Sequence, residues 1–204
     1  FSPAPMPSFY HSLSLPWHAV LEETWAAYIA DTVPVGAAVV APDGTTLARG
    51  RNHILDDEGS VHRHDLAHAE LNALLAHDRD GAHSRAHANT CALYTAMEPC
   101  PLCLGAFYMS GLRELRFAAR DPYAGSANLI GASDYMRRKP IRVHGPQNPP
   151  LEILLIALSV EFNLRQSFRG GADVLEKWAA VIPAGVHLGK QLAERGYFSN
   201  IRAS

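Results

Sequence analysis

The chain has 204 residues, within the range that one hydrophobic core serves, and its 48% apolar and 19% charged content excludes intrinsic disorder. The formal net charge of −2 hides a division: residues 1–136 carry 8 basic and 15 acidic side chains, whereas residues 137–204 carry 10 and 5. That balance argues against a dedicated nucleic-acid binder but leaves an anionic partner open for the basic C-terminal third. No apolar run approaches the roughly 20 residues of a membrane span. The first eight residues lack the charge-then-apolar order of a signal peptide, so a cytoplasmic protein without a membrane partner is expected, with Phe1 marking a trimmed start.

Residues 1–15 are rich in proline and read as a tail. Residues 16–32 place Trp17, Val20, Leu21, Trp25, Tyr28 and Ile29 at helical spacing, with Pro16 suited to the first turn. Residues 35–41 and 45–49 read as strands joined by the tight turn Pro42-Asp43-Gly44. A polar, histidine-rich stretch follows, then a helix over 66–77, a strand over 90–97, a helix opened by Pro99 and running to about Leu112, a strand over 115–119 and a fifth over 141–143. The order β-β-α-β-α-β predicts an α/β domain over 16–148, with a mixed sheet of about five strands and helices on both faces. Residues 149–204 form a helical appendage packed on that domain or on a partner subunit. Its first helix, 151–164, is apolar on more than one face, and two amphipathic stretches over 172–195 are broken by Pro183 and Gly185.

Of the three cysteines, two lie three positions apart, a spacing better suited to a metal than to a disulfide framework. Cys100 and Cys103 share one face of a helix start, where the positive end of the dipole favours the thiolate needed for ligation. His68, also at a helix start, is the best-placed third ligand. Three protein ligands leave a fourth position for water, the mark of a catalytic zinc, and one zinc per chain is expected. Glu70, two residues on, is ill placed as a further ligand from a regular helix, but suits a proton shuttle if both side chains project past the helix end.

His-x-Glu followed by Pro-Cys-x-x-Cys is a signature of zinc-dependent base deaminases. Around it, Pro34-Val-Gly-Ala37, Gly50-Arg-Asn52, Ala67-His-Ala-Glu70, Glu98 through Ala106 and Asp121-Pro122 stand in the order seen in the cytosine, guanine and tRNA adenosine deaminases. The chain resembles that branch of the cytidine/deoxycytidylate deaminase-like superfamily over about residues 30–145. The resemblance implies a three-layer α/β/α fold, a homodimer and hydrolytic removal of an exocyclic amine from a nucleobase, nucleoside or related amino-heterocycle, with ammonia released. Glu70 would take a proton from the zinc-bound water and pass it to the ring nitrogen and the departing amine. Asn52 would hydrogen-bond the base or its sugar, and backbone groups near Ala69 and Pro99 would line the pocket. His53, beside Asn52, is the histidine of its loop best placed to approach a ligand. Asp121 either binds the backbone of its own loop or lines the pocket.

The alternatives are a tRNA adenosine deaminase and a catalytically silent binding module. RNA is less favoured because the catalytic segment is acidic and the basic residues lie beyond it. Cys91 reads as a buried apolar residue, Glu98 as a support for the turn before the cysteines, and the remaining histidines as a solvated loop. Arg137-Arg138-Lys139 with Arg142 reads as a solvated face, and Tyr197-Phe198 as packing or a frayed end more than a cover over the pocket.

Overall fold

The computed structural model describes residues 9–79, 84–167 and 171–198. In chain order these form α1 (Leu15–Ile29), β1 (Gly36–Val40), β2 (Thr46–Arg51), α2 (Ala69–Arg79), the single turn α3 (Arg85–Ala88), β3 (Ala92–Met97), α4 (Pro101–Ser110), β4 (Glu114–Ala119), β5 (Arg142–His144), α5 (Pro149–Gln166), α6 (Gly171–Val181) and α7 (Pro183–Glu194). The five strands form one sheet in the order β2-β1-β3-β4-β5. β1 runs antiparallel to β2 and β3, while β3, β4 and β5 are parallel. The α/β architecture read from the sequence is the one observed.

Alternation along the strands divides the core into two layers. Ala38, Val40, Ala96 and Ala118 face α1 and α5; Ala37, Val39, Leu93 and Leu115 face α2 and α4. Glycines bring helices close to the sheet on both sides. A Cβ on Gly36 would stand 2.4 Å from the Val20 carbonyl oxygen of α1, and one on Gly50 would stand 2.3 Å from the Ala73 nitrogen of α2. Within α1, Trp17, Val20 and Tyr28 are buried as expected, but Trp25 is 38% exposed.

The C-terminal helices complete the first layer. Leu151, Leu155, Ile156 and Val160 of α5, Trp178 of α6 and Val186 of α7 belong to the same apolar cluster as Trp17 and Val20. Asn148 caps α5 by accepting from the Leu151 N–H at 2.9 Å, with Pro149 and Pro150 occupying the first turn where no amide donor is needed. α5 is fixed at both ends. Near its start, Glu152 accepts from the Arg120 guanidinium at 2.7 and 2.8 Å and from the Arg120 amide at 3.0 Å. Toward its end, Glu161 accepts from the Tyr28 hydroxyl at 2.6 Å.

Gly185 does not break a helix, as its residue type suggested. It lies inside α7, where a Cβ would stand 2.8 Å from Ile156 Cβ, and Gly189 one turn on would stand 2.6 Å from Val160 Cβ. The two glycines let α7 cross α5 at close range, and the interruption between α6 and α7 falls at Ile182, immediately before Pro183 opens α7. Phe198 packs against Trp25 and Tyr28, at ring separations of 5.7 and 5.3 Å; Arg202 lies outside the described residues.

Candidate active site

The parallel strands β3 and β4 carry their carboxyl ends to one edge of the sheet, where open α/β sheets bind ligands. Two helices begin there. α2 starts at Ala69, immediately after His68, whose carbonyl accepts from the Asn72 N–H at 3.0 Å. α4 starts at Pro101, with Cys100 as its N-cap and Cys103 in its first turn. The proline at the first helical position is therefore Pro101 and not Pro99, and the reason for tolerance is the same, since that residue's N–H has no helical partner.

His68 Nδ1 lies 3.5 Å from Cys100 Sγ and 3.4 Å from Cys103 Sγ. All three donor atoms fall within 4.8 Å of one another. A tetrahedral zinc, with bonds of about 2.0 Å to nitrogen and 2.3 Å to sulfur, spans nitrogen–sulfur edges of about 3.5 Å, so the donor set fits the ion as it stands. Because His68 precedes the helix, the turn per residue that would separate it from Glu70 does not apply. The Glu70 carboxylate reaches the cluster: its Oε2 accepts from Cys103 Sγ at 3.3 Å and its Oε1 accepts from Thr95 Oγ1 at 3.0 Å.

The four groups are electrostatically coupled. The Cys100 thiol is drawn down to about 4, first by its hydrogen bond with Cys103 and then, against burial, by His68. The Cys103 thiol is pushed the other way by its bond to Cys100, by burial and by Glu70, so one proton stays with the pair. His68 is raised by Cys100, against burial and with help from the Glu70 charge. Burial pushes the Glu70 carboxyl up, with His68 opposing; at 4% exposure it is shielded from bulk water.

His68, Glu70 and Cys100, but not the buried Cys103, line a cavity of about 280 Å³. Its far wall is built by residues the sequence did not single out: Ser159, Phe162 and Asn163 of α5 and Val174 and Trp178 of α6. Asn52 lies in the cavity lining, as proposed from the sequence, and its orientation is fixed. Its Oδ1 accepts from Thr32 Oγ1 at 2.9 Å and from the Ile54 N–H at 3.0 Å, which leaves Nδ2 as the free donor. Asp121 does both things the sequence allowed. It lines the cavity, and its Oδ1 accepts from the Tyr123 N–H at 3.0 Å and from Trp178 Nε1 at 3.1 Å.

His53 is not in the cavity lining; its Nδ1 pairs with Asp56, and its ring packs beneath Gly59. Ala69 and Pro99 are likewise absent from the lining, and the Pro99 carbonyl instead accepts from the Ser126 N–H. The histidine-rich region is less solvated than expected, since His77 is buried on α2; His83 lies outside the described residues. Glu98 supports its turn as expected, accepting from the amides of Asp121 and Ala127 at 3.3 and 3.2 Å, and Cys91 is buried. Thr95 carried no signal in the sequence beyond its place in a strand, and Ser159, Asn163 and Trp178 none beyond an apolar helical period.

Residues 14–119 match the family model of the cytidine and deoxycytidylate deaminase zinc-binding region. Over 97 residues the chain is 35% identical to the guanine deaminase of Bacillus subtilis, covering 47% of this chain and 56% of that protein. Over 110 residues it is 36% identical to the tRNA(Ile)-lysidine synthase of Deinococcus deserti, covering 54% of this chain and 19% of that protein. The chain thus spans between a fifth and just over half of the length of these relatives. Among solved structures, the guanine deaminase from Nitrosomonas europaea aligns with a TM-score of 0.59 at 28% identity, over 78% of this chain and 94% of that one. The motif, the three-donor centre and the matched span together place the chain in the family of the cytidine and deoxycytidylate deaminase zinc-binding region.

Proposed function

We propose that the protein is a hydrolytic deaminase that removes the exocyclic amine of a nucleobase, nucleoside or related amino-heterocycle and releases ammonia. The observation that carries this reading is Glu70: a buried carboxylate outside the metal donor set, oriented by Thr95 and adjoining a cluster of His68, Cys100 and Cys103 that leaves one coordination position open. A zinc ion held by those three residues supplies Lewis-acid activation of water at neutral pH. Glu70 takes the proton released from the attacking water. It passes that proton to the ring nitrogen, then takes the second from the hydroxyl now on the ring carbon and passes it to the amine, so that the carbon–nitrogen bond breaks, a carbonyl forms from the hydroxyl and ammonia leaves. Burial suits Glu70 to this work, because a carboxyl raised above its ordinary range holds an accepted proton more readily. Asn52 Nδ2 donates to the heterocycle or its sugar.

The Glu70→Gln variant tests the reading. It is expected to retain one zinc per chain and lose ammonia release over a panel of aminopurines, aminopyrimidines and their nucleosides. Full turnover in that variant would overturn it, and a wild-type protein that binds zinc but releases no ammonia would favour the silent binding module.

Among the described residues the cavity lining contains no lysine or arginine, which favours a small substrate over RNA. The basic run lies at the far end of α4 from the cysteines, about 15 Å along the helix axis. There Lys139 donates to the Tyr108 carbonyl, Arg137 pairs with Asp134 and Arg142 pairs with Glu114. Steep salt dependence of tRNA binding together with inosine formation would replace the small-molecule reading with the tRNA adenosine deaminase. The reading includes a homodimer, for which exposed Met109 on α4 offers an apolar contact. It also includes a reducing compartment such as the cytoplasm, since both ligating cysteines must stay unoxidised.

A further inference from the structure

The α5 wall holds polar side-chain atoms with no partner among the described residues. Ser159 is 3% exposed, lies in the cavity lining, and its Oγ has no hydrogen-bond partner among the described residues. Buried hydroxyls are ordinarily satisfied, so an orphan beside a cavity points to a ligand. One turn on, Asn163 is 9% exposed and lines the same cavity. Its Nδ2 donates to the Ser159 carbonyl at 2.8 Å, which fixes the amide and leaves Oδ1 as an acceptor without a partner among the described residues. Asn52 therefore presents a donor and Asn163 an acceptor. α2 and α5 cover opposite faces of the sheet, so the α5 groups stand across the cavity from Glu70 and the metal donors. The remaining surface there is apolar, including Val174, Phe162 and Trp178. The charged side chains in the lining besides His68 are the carboxylates Glu70, Glu98 and Asp121, which disfavour a phosphate.

We propose that Ser159 and Asn163 form a specificity subsite that reads the edge of the heterocycle remote from the departing amine. The Asn163 Oδ1 accepts from a ring N–H or amino group, and the Ser159 hydroxyl completes the pair. The substrate is thereby restricted to an uncharged amino-heterocycle with a donor on that edge and no phosphate. The inference rests on the deaminase reading but concerns binding, so it is tested by binding.

The experiment uses the full-length zinc-loaded protein and its Ser159→Ala, Asn163→Leu and Asn163→Asp variants. Isothermal titration is run with guanine, adenine and cytosine, their nucleosides and their 5′-monophosphates; ammonia release is followed in parallel. Guanine has amino and ring N–H donors distributed around its six-membered ring, whereas adenine lacks the ring N–H there. The expected order of affinity is base or nucleoside well above monophosphate. Ser159→Ala and Asn163→Leu weaken the best-bound base roughly three- to tenfold each, the effect of one hydrogen bond. Asn163→Asp, which keeps an acceptor, retains more affinity than Asn163→Leu.

The melting temperature separates reading from scaffolding. Removing an unpartnered hydroxyl leaves the Ser159→Ala protein as stable as the wild type or more so, whereas a purely structural serine would lose stability and leave affinity unchanged. Unchanged affinity for every base in both Ser159→Ala and Asn163→Leu, or preferred binding of a monophosphate, overturns the subsite. Absence of ammonia release despite base binding that responds to these substitutions would instead sink the deaminase reading and leave the subsite standing.

Discussion

The two walls of the cavity are built by different means. On one side, His68, Glu70, Cys100 and Cys103 stand at the beginnings of α2 and α4, and their geometry follows from short spacings within two helix starts. On the other side, Ser159, Asn163 and Trp178 stand on helices whose position depends on contacts across the whole chain: Glu152 with Arg120, Glu161 with Tyr28, and α7 pressed against α5 through two glycines. The first wall holds the metal donors and lies within the matched family span of residues 14–119; the second lies beyond it. The contrast separates groups that local spacing positions from groups that only tertiary packing positions.

The largest expected effect breaks the first wall alone. Cys103→Ser replaces a buried thiolate ligand with a hydroxyl that zinc binds far less well. Zinc content by atomic absorption should fall below one per chain and ammonia release should drop to background. Native zinc stoichiometry in that variant would show that the three donors do not hold the ion.

The next effect breaks the second wall and spares the first. Gly189→Leu forces a side chain against the Ala157 carbonyl, which a Cβ would already approach to 2.6 Å, and should lower unfolding stability by about 3 kcal/mol in urea titrations. Zinc content should stay at one per chain while affinity for the best-bound base falls. A variant that loses zinc as readily as base affinity would mean that the two walls are not separable.

The smallest effect concerns the tie between the walls. Burial alone would raise the Glu152 carboxyl, but the Arg120 hydrogen bonds hold it below the ordinary carboxylate range. A carboxylate with a lower value folded than unfolded contributes stability that is present above the unfolded value of about 4.3 and lost as pH falls through the folded value. Glu152→Gln should therefore cost about 2 kcal/mol at neutral pH. The gap between variant and wild type should close as the pH drops below about 4. Stability curves measured from pH 3 to 8 check this, and a gap independent of pH would assign the contact to packing and not to charge.

This division also explains what could be read from the sequence. The strand and helix order and the metal donors were legible, and the presence of Glu70 and Asn52 at the cavity could be anticipated, because each rests on a local spacing or a short motif. Gly185 was misread because a glycine that permits a close helix crossing looks, in sequence, like one that ends a helix. His53 sits beside Asn52 in sequence, yet its side chain turns to Asp56, and adjacency along the chain does not reveal which way a loop side chain faces. Ser159 and Asn163 were hidden in a run of apolar residues, where a polar side chain at helical spacing looks like an ordinary interruption of the core. Only the placement of α5 over the strand ends shows that they face a cavity.

The close crossing of α7 over α5 bears on how such a protein changes over generations. Ile156 and Val160 leave no room for a side chain on the facing glycines, so that seam tolerates little drift. On the cavity-facing side of the same helix Phe162 is held in an apolar cluster with Tyr28, but Ser159 carries no such restriction, since its Oγ has no partner among the described residues. One helix thus carries a seam closed to larger side chains beside a serine whose hydroxyl can be exchanged without breaking a hydrogen bond among the described residues.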